Sequence, residues 1–268
     1  MEACTIVVPV CNRLPYTQLF LTSLSRGTDQ PFELVIIDNG SVDETPDYLS
    51  RLDGCKVIRN EHNLGVAKAW NQGIMAATGR HVCICNNDIA VPRGWLSPLL
   101  REMNDHGELG IISPAERDVV ARYSSSFGPE AEFLARLDYD CEPTFEALDA
   151  IYGGFDRFAA DFVQRHSDTR LPDVGNASCM LIRRELIEDI GLFDETIGIA
   201  YWEDCDFFLR TSMNARFNRF ETCGGAYFHH FGGKSAAFVP PDAMARSREA
   251  FYRKWPHVRA DHERMGSL

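Results

Sequence analysis

The chain has 268 residues, 45% of them hydrophobic and 25% charged, with a formal net charge of −12. This length and apolar content suit one large α/β domain, or a domain with a small appendage, and argue against disorder. The acidic excess repels phosphate backbones, which argues against nucleic-acid binding and against broad docking on anionic lipid.

The first hundred residues alternate between two hydrophobic periods. Thr5–Val10 (TIVVPV) is a β-branched run that reads as a strand buried on both faces. From Tyr16 to Arg26 the apolar residues Leu19, Phe20 and Leu24 fall at helical spacing. Phe32–Ile37 (FELVII) is a second buried strand and ends at Asp38-Asn39-Gly40-Ser41; Asp43–Leu52 then predicts a helix. Lys56–Arg59 is a third strand, and Gly65–Ala77 a helix whose alanines suit close packing. His81–Cys85 (HVCIC) is a fourth strand, stopping at Asn86-Asn87-Asp88. This alternation predicts a mostly parallel, doubly wound sheet with right-handed crossovers. Ligands of such sheets bind beyond the carboxyl ends of the strands. There the polar clusters Asn12-Arg13, Asp38–Ser41 and Asn86–Asp88 would converge.

After Trp95 the pattern predicts a helix to His106 and a strand at Leu109–Ser113. Residues 115–172 are less regular and too long for a bare loop, so they are expected to be a structured insertion, helical from Phe145 to Arg165. Gly175–Arg183 reads as a strand and Arg184–Ile190 as a helix stopped by Gly191; the acidic, aromatic stretch Tyr201–Arg210 follows. The nine cysteines are scattered without a CxxC pair and read as reduced, mostly buried small hydrophobes. No apolar run approaches the ~18 residues of a membrane span, and Met1–Cys11 lacks the basic leader and cleavage site of a signal peptide. A cytoplasmic protein is expected. The arginines and lysine between Arg246 and Arg264 could face a membrane or a phosphate-bearing acceptor, although the interspersed acids favour a solvated helix face.

Four segments carry chemistry. Asn86-Asn87-Asp88 sets a carboxylate and two amides at the sheet edge, oxygen donors that suit Mg²⁺ or Mn²⁺, although Asn and Asp also favour plain turns. Trp202-Glu203-Asp204-Cys205-Asp206 crowds three carboxylates among aromatics. Crowding raises carboxyl pKa values and suits a general base, but an acidic first helical turn explains the same residues. Asp206 and Arg210 stand four apart and could pair, leaving Asp204 free. Tyr227–Ser235 (YFHHFGGKS) offers glycines for close approach to a phosphate and histidines for a metal; adjacent histidines in a strand face opposite ways, so one reaches the site. Asn60–Asn71 (NEHNLGVAKAWN) could present amides to a ligand or simply cap a helix.

In this order the segments resemble the family 2 glycosyltransferases of the GT-A fold, most closely the bacterial rhamnosyltransferase-like branch. Matching stretches are TIVVPVCNR, ELVIIDNGSVDET, NEHNLGVAKAWNQGI, HVCICNNDIAVPRGW, GNASCMLIRRELIEDIGLFDE, YWEDCDFFLR and HHFGGKS, spanning about 5–235 apart from 115–172. The resemblance implies an inverting transfer of a sugar from a nucleotide-diphosphate donor, dTDP-rhamnose or a UDP-sugar, to a hydroxyl of a glycan or lipid-linked glycan. It implies Pro9, Asn12 and Arg13 around the nucleotide and Asp38 on its base, with Asn39 and Ser41 nearby. Asn63, Gly65 and Lys68 would contact the nucleotide or its phosphates. Asn86-Asn87-Asp88 occupies the place of the family's DXD motif; only its last position keeps a carboxylate. Asp88 and His230 would hold the divalent cation, Mn²⁺ or Mg²⁺, with His229 as the alternative ligand. Asp204 would be the catalytic base, and Trp202 and Glu203 would position the substrate.

The implied organisation is a GT-A domain over 1–240, with a nucleotide-binding half (1–113), a variable insertion (114–172) and an acceptor half (173–240), followed by a helical tail (241–268). A peripheral contact at the inner face of the cell membrane is compatible with it. Two rivals stand beside this reading. A nucleotidyltransferase or dinucleotide oxidoreductase would need a Gly-rich loop after the first strand, which PVCNRLPYTQ lacks. A catalytically weak or inactive nucleotide-sugar-binding paralogue draws support from the degenerate Asn-Asn-Asp.

Overall fold

The computed structural model describes residues 4–138, 141–234 and 238–264, and of 261–264 the backbone alone. Ser235, part of the Gly-rich segment, and the side chain of Arg264 lie outside the described residues. An eight-stranded mixed sheet is flanked by helices on both faces. The strands are β1 (Cys4–Val10), β2 (Phe32–Asn39), β3 (Lys56–Asn60), β4 (His81–Cys85), β6 (Leu109–Ala115), β7 (Arg170–Pro172), β8 (Cys179–Arg183) and β9 (Arg219–Tyr227). Their order is β3-β2-β1-β4-β8-β6-β9-β7. β1 runs parallel to β2 and β4, and β2 parallel to β3. A short two-stranded sheet pairs β5 (Ile89–Ala90) with β10 (His229–His230).

The N-terminal half follows the sequence pattern closely. Ile6, Val8 and Val10 pack on one face of β1 with Phe20 and Leu24 of α1 (Leu14–Gly27) and Leu99 of α4 (Leu96–Asp105). Val7 packs on the other face with Trp70 and Ile74 of α3 (Val66–Ala76). Gly73 lets α3 lie directly on the sheet, since a Cβ there would stand 2.2 Å from Val7 Cγ1. The helix expected over Asp43–Leu52 is shorter, α2 at Thr45–Leu49, because the Asp43 side chain accepts from Thr45 N and sets the start there.

Beyond β4 the parallel pattern breaks. β8 runs antiparallel to both β4 and β6. It begins at Cys179 and not at Gly175, because 175–178 is held as a loop. Asn176 N donates to Ser113 Oγ, and Ser178 N to Asn176 Oδ1. The insertion is helical: α5 (Arg117–Arg122), α6 (Ser124–Phe127), α7 (Pro129–Ala135), α8 (Phe145–Tyr152) and α9 (Phe155–His166). The single helix expected from Phe145 to Arg165 is two, since Gly153 and Gly154 turn the chain at φ 68° and 108°. Phe127, Phe155, Phe162 and Tyr227 form the insertion's aromatic core. After β8 come α10 (Arg184–Ile190), α11 (Glu203–Ser212), α12 (Ala243–Lys254) and α13 (Pro256–Arg264). Phe251 and Tyr252 of α12 pack with Ile197 and Trp202 of the loop before α11. Among the described residues no helix is long and apolar enough to cross a membrane.

Candidate active site

A cleft of about 730 Å³ opens over the carboxyl ends of β1, β2 and β4, where the three polar clusters were expected to meet. Pro9, Asn39, Asn63, Asn86, Asn87, Asp88, Trp202, Glu203, Asp204 and His230 are among the residues that line it. Asn12, Arg13, Asp38, Ser41, Gly65 and Lys68 are not on its wall.

Most of those six build the loops that frame the β1–β2 end of the cleft. Asn12 and Arg13 are left-handed, at φ 58° and 61°. The Asn12 amide oxygen accepts from the N–H groups of Val42 and Asp43, and its own N–H donates to Ser41 Oγ at 2.8 Å. Asp38 is buried; it accepts from Ser41 N at 2.9 Å and lies 3.5 Å from Arg59 Nε. Asn39 Nδ2 donates to Asn63 Oδ1 and to Gly65 O, and Asn39 Oδ1 accepts from Leu64 N. This stitches β2 to the turn before α3. Gly65, at φ 93°, opens that helix against Ile199. Lys68 is exposed on α3, and Arg13 donates to Lys234 O.

The second group sits where β5 and β10 pair. His230 Nε2 lies 3.3 Å from Asp88 Oδ1, and Asp88 Oδ2 accepts from Lys234 N at 3.0 Å. Burial works to raise the Asp88 pKa, but the His230 hydrogen bond and charge outweigh it and leave the carboxyl below its ordinary value. Burial likewise works to lower His230, and Asp88 overrides it, so the imidazole is raised. His229 points the other way. Its Nδ1 stands 2.9 Å from Tyr152 Oη, which in turn stands 2.9 Å from Tyr227 Oη, and burial pushes the ring down to about 3. Asn87 Nδ2 is tied to Thr17 Oγ1 at 2.9 Å.

The third group is the start of α11. Tyr201 and Trp202 are both left-handed, φ 69° and 71°, and turn the chain so that Glu203 and Asp204 enter the cleft. Glu203 is 5% exposed and its Oε2 has no hydrogen-bond partner among the described residues. Burial, and then the Asp204 charge, push it up to about 8. Burial raises Asp204 too, although its Oδ1 accepts from Cys205 N at 2.8 Å. Asp206 turns away from the cleft, fully buried, and pairs with Arg210 Nε at 2.8 Å as the i,i+4 spacing suggested. One carboxyl pair is thus exposed to a ligand and the third carboxylate is structural.

Several lining residues were not legible. Glu116, Asp118, Val119 and Arg122 come from the insertion, and Val239 and Met244 from the stretch entering α12. Glu116 is 4% exposed and caps α5 through Asp118 N and Val119 N, and burial raises its pKa. Its signal was an N-cap pattern inside an irregular stretch; Met244 gave none. Cys83, Cys85 and Cys179 cluster in the core with their sulfurs within 4.8 Å of one another. Burial pushes Cys85 and Cys179 well above the ordinary thiol value, so they pack as neutral thiols.

Comparisons with known proteins place the chain in one family and fold. The chain is 27% identical over 209 residues to an N-acetylglucosaminyl-diphospho-decaprenol L-rhamnosyltransferase of Mycobacterium tuberculosis, covering 72% of this chain and 64% of that one. The chain therefore spans less than two thirds of that relative. It is 26% identical over 279 residues to a PGL/p-HBAD biosynthesis glycosyltransferase of Mycobacterium bovis, covering 95% and 91%. Among solved structures it superposes with a TM-score of 0.59 and 18% identity on the mannosyltransferase PcManGT of Pyrobaculum calidifontis, in complex with GDP-Man and Mn²⁺, covering 94% and 69%. It also matches Staphylococcus aureus TarS in complex with UDP-GlcNAc, with a TM-score of 0.56 and 19% identity, covering 94% and 64%. The sequence pattern described as Glycosyl transferase family 2 matches residues 5–191, and the chain belongs to that family and has the GT-A fold.

Proposed function

We propose that this glycosyltransferase moves a sugar, with inversion, from a nucleotide-diphosphate donor to a hydroxyl of a glycan or lipid-linked glycan, using Asp204 as base. One observation carries the reading: a single cleft is lined by both the Asp88–His230 pair and the Glu203–Asp204 pair. The donor is dTDP-rhamnose or a UDP-sugar; the mycobacterial relative's name supports rhamnose, and TarS in complex with UDP-GlcNAc supports the UDP-sugar.

The acceptor hydroxyl is a poor nucleophile at neutral pH. Asp204 takes its proton as the oxygen attacks the anomeric carbon, while the bond to the diphosphate breaks on the opposite face of the sugar. Such a base contributes ~10²–10⁴-fold. Burial of Asp204 makes its carboxylate more basic than an exposed one, which favours the transfer. Glu203 and Trp202 orient the sugar or acceptor. Asn39, Asn63 and Pro9 take the nucleotide, with the Asn12–Ser41–Asp38 loop shaping the base pocket and Arg13, Gly65 and Lys68 on the phosphate side.

A divalent cation fits the Asp88–His230 edge. The donor set is one carboxylate and one imidazole, and the buried His230 Nε2 faces Asp88 Oδ1 at 3.3 Å on the cleft wall. Held there, Mn²⁺ or Mg²⁺ would stabilise charge on the departing diphosphate. Residues 1–113 act as the nucleotide half and 173–240 as the acceptor half, with the insertion 114–172 and the helical tail shaping acceptor choice. The proposed setting is the cytoplasm, with a peripheral contact at the inner face of the membrane compatible with it, and no nucleic-acid partner is proposed.

The test is product formation with Asp204→Asn. Release of nucleoside diphosphate from dTDP-rhamnose, UDP-GlcNAc or GDP-mannose is measured with and without Mn²⁺. Turnover equal to wild type in the variant overturns the base assignment, and a wild-type chain that binds the nucleotide but never turns over favours the inactive paralogue.

A further inference from the structure

The site reading leaves one buried cluster unused. Asp206 stands two residues beyond Asp204 on α11, about 200° around the helix, so a hold on one sets the direction of the other. Its carboxylate is completely buried and receives three donors. Arg210 Nε reaches Oδ2 at 2.8 Å; Trp255 Nε1 and Lys254 Nζ reach Oδ1 at 2.8 and 2.7 Å. Two of the three come from the C-terminal end of α12, some fifty residues later in the chain. Lys254 also bonds Asp194 Oδ2 at 2.6 Å, and Arg210 bonds the carbonyls of Ile190 and Leu192.

The same helix grips the loop that delivers the carboxyl pair. Ser247 Oγ donates to Ala200 O at 2.7 Å, and a Cβ on Gly198 would stand 2.1 Å from Ser247 Oγ. The Trp202 ring packs on Phe251 and Tyr252, with centroids at 5.2 and 5.5 Å. Tyr201 and Trp202 occupy the left-handed region, a conformation of order 1–3 kcal/mol above the ordinary one that persists only where its surroundings enforce it. In this fold the surroundings are α12.

We propose that Lys254 and Trp255 are positioning residues for Asp204: by fastening Asp206 from behind, they fix where the α11 carboxyl pair stands in the cleft. The proposal rests on Asp204 being the base. The C-terminal helix is, on this view, part of the catalytic apparatus without touching substrate.

The experiment uses the full chain with Trp255→Phe, which keeps the ring and removes the N–H, and Lys254→Met and Lys254→Arg. UDP, GDP and dTDP are first screened with Mn²⁺ for thermal stabilisation, and the matching sugar nucleotide is then hydrolysed. Trp255→Phe and Lys254→Met are expected to bind the nucleoside diphosphate within about twofold of wild type and to lose about tenfold or more in kcat, with KM for the donor little changed. Lys254→Arg restores most of the rate. In an Asp204→Asn background the same substitutions add little, because they act through that carboxylate; a merely structural role would lower the residual rate further.

Carboxyl ¹³C titration of Glu203 and Asp204 gives a second reading that needs no turnover. In Trp255→Phe and Lys254→Met both midpoints fall by about half a pH unit or more toward the ordinary range as the turn opens to water. Unchanged titration together with unchanged kcat overturns the proposal, and where hydrolysis is too slow to follow, unchanged titration alone does so. If Asp204→Asn turns over like wild type, the base assignment falls. If Asp204→Asn is dead while Trp255→Phe and Lys254→Met behave like wild type, only the positioning role falls.

Discussion

Replacing Glu203 by Gln is expected to flatten the pH dependence of stability. The carboxyl rises from about 4.5 to about 8 in the folded chain, because it is buried beside Asp204 and one of its oxygens lacks a donor. Between those pH values the native state keeps a proton that the unfolded chain releases. The unfolded state then binds fewer protons, so stability falls as pH rises, by ~1.4 kcal/mol per unit for one proton. Below about 4.5 both states are protonated and there is no penalty; above about 8 both are ionised and the penalty stops growing. Over pH 5 to 8 the loss is on the order of 4 kcal/mol, an upper figure because Asp204 shares the titration. For a chain of this size that corresponds to roughly 10 °C in Tm. Gln matches the protonated acid in shape and carries no charge at any pH. Thermal melts followed by circular dichroism at pH 5, 6, 7 and 8, at one ionic strength, compare the two proteins. Wild type should lose Tm with rising pH, and Glu203→Gln should lose much less and be the more stable at pH 8. Parallel curves would refute the assignment of a buried, proton-retaining carboxyl at 203.

Three further outcomes are expected. Asp204→Asn should lower sugar-nucleotide turnover by ~10²–10⁴-fold while nucleoside diphosphate affinity, read by thermal shift, stays within about threefold. His230→Ala should abolish the extra stabilisation that Mn²⁺ gives to a bound nucleoside diphosphate, whereas His229→Ala should lower Tm without that selective loss, since His229 faces Tyr152 in the core. Gly65→Ala should cost on the order of 2 kcal/mol in denaturant titration, because φ is 93° and the new Cβ would stand 2.9 Å from Ile199 O.

What could be read from the sequence was what local chemistry dictates. β1, β2 and β4 announced themselves through continuous apolar runs, and each ended in the polar cluster that the structure brings to one edge. The Asp206–Arg210 pair followed from helical spacing alone. The antiparallel entry of β8 did not, since a buried strand reads the same in either direction. β9 was hidden by Cys223-Gly224-Gly225 in its middle, where Gly224 is required because a Cβ would stand 2.6 Å from His166 O. Arg122 and Met244 reach the cleft from elements whose placement is decided by tertiary packing, and no local pattern marks them. Which histidine faces the cleft was open until the Tyr152–His229 contact separated the two.

That contact constrains how the insertion can be exchanged. Tyr152 of the insertion hydrogen-bonds both Tyr227 and His229, so the variable module is wired to the strand that ends in His230. A graft of residues 115–172 from a relative would have to bring compatible partners at 227 and 229. Exchanging the insertion alone therefore disturbs the β5–β10 edge, where His230 faces Asp88, as well.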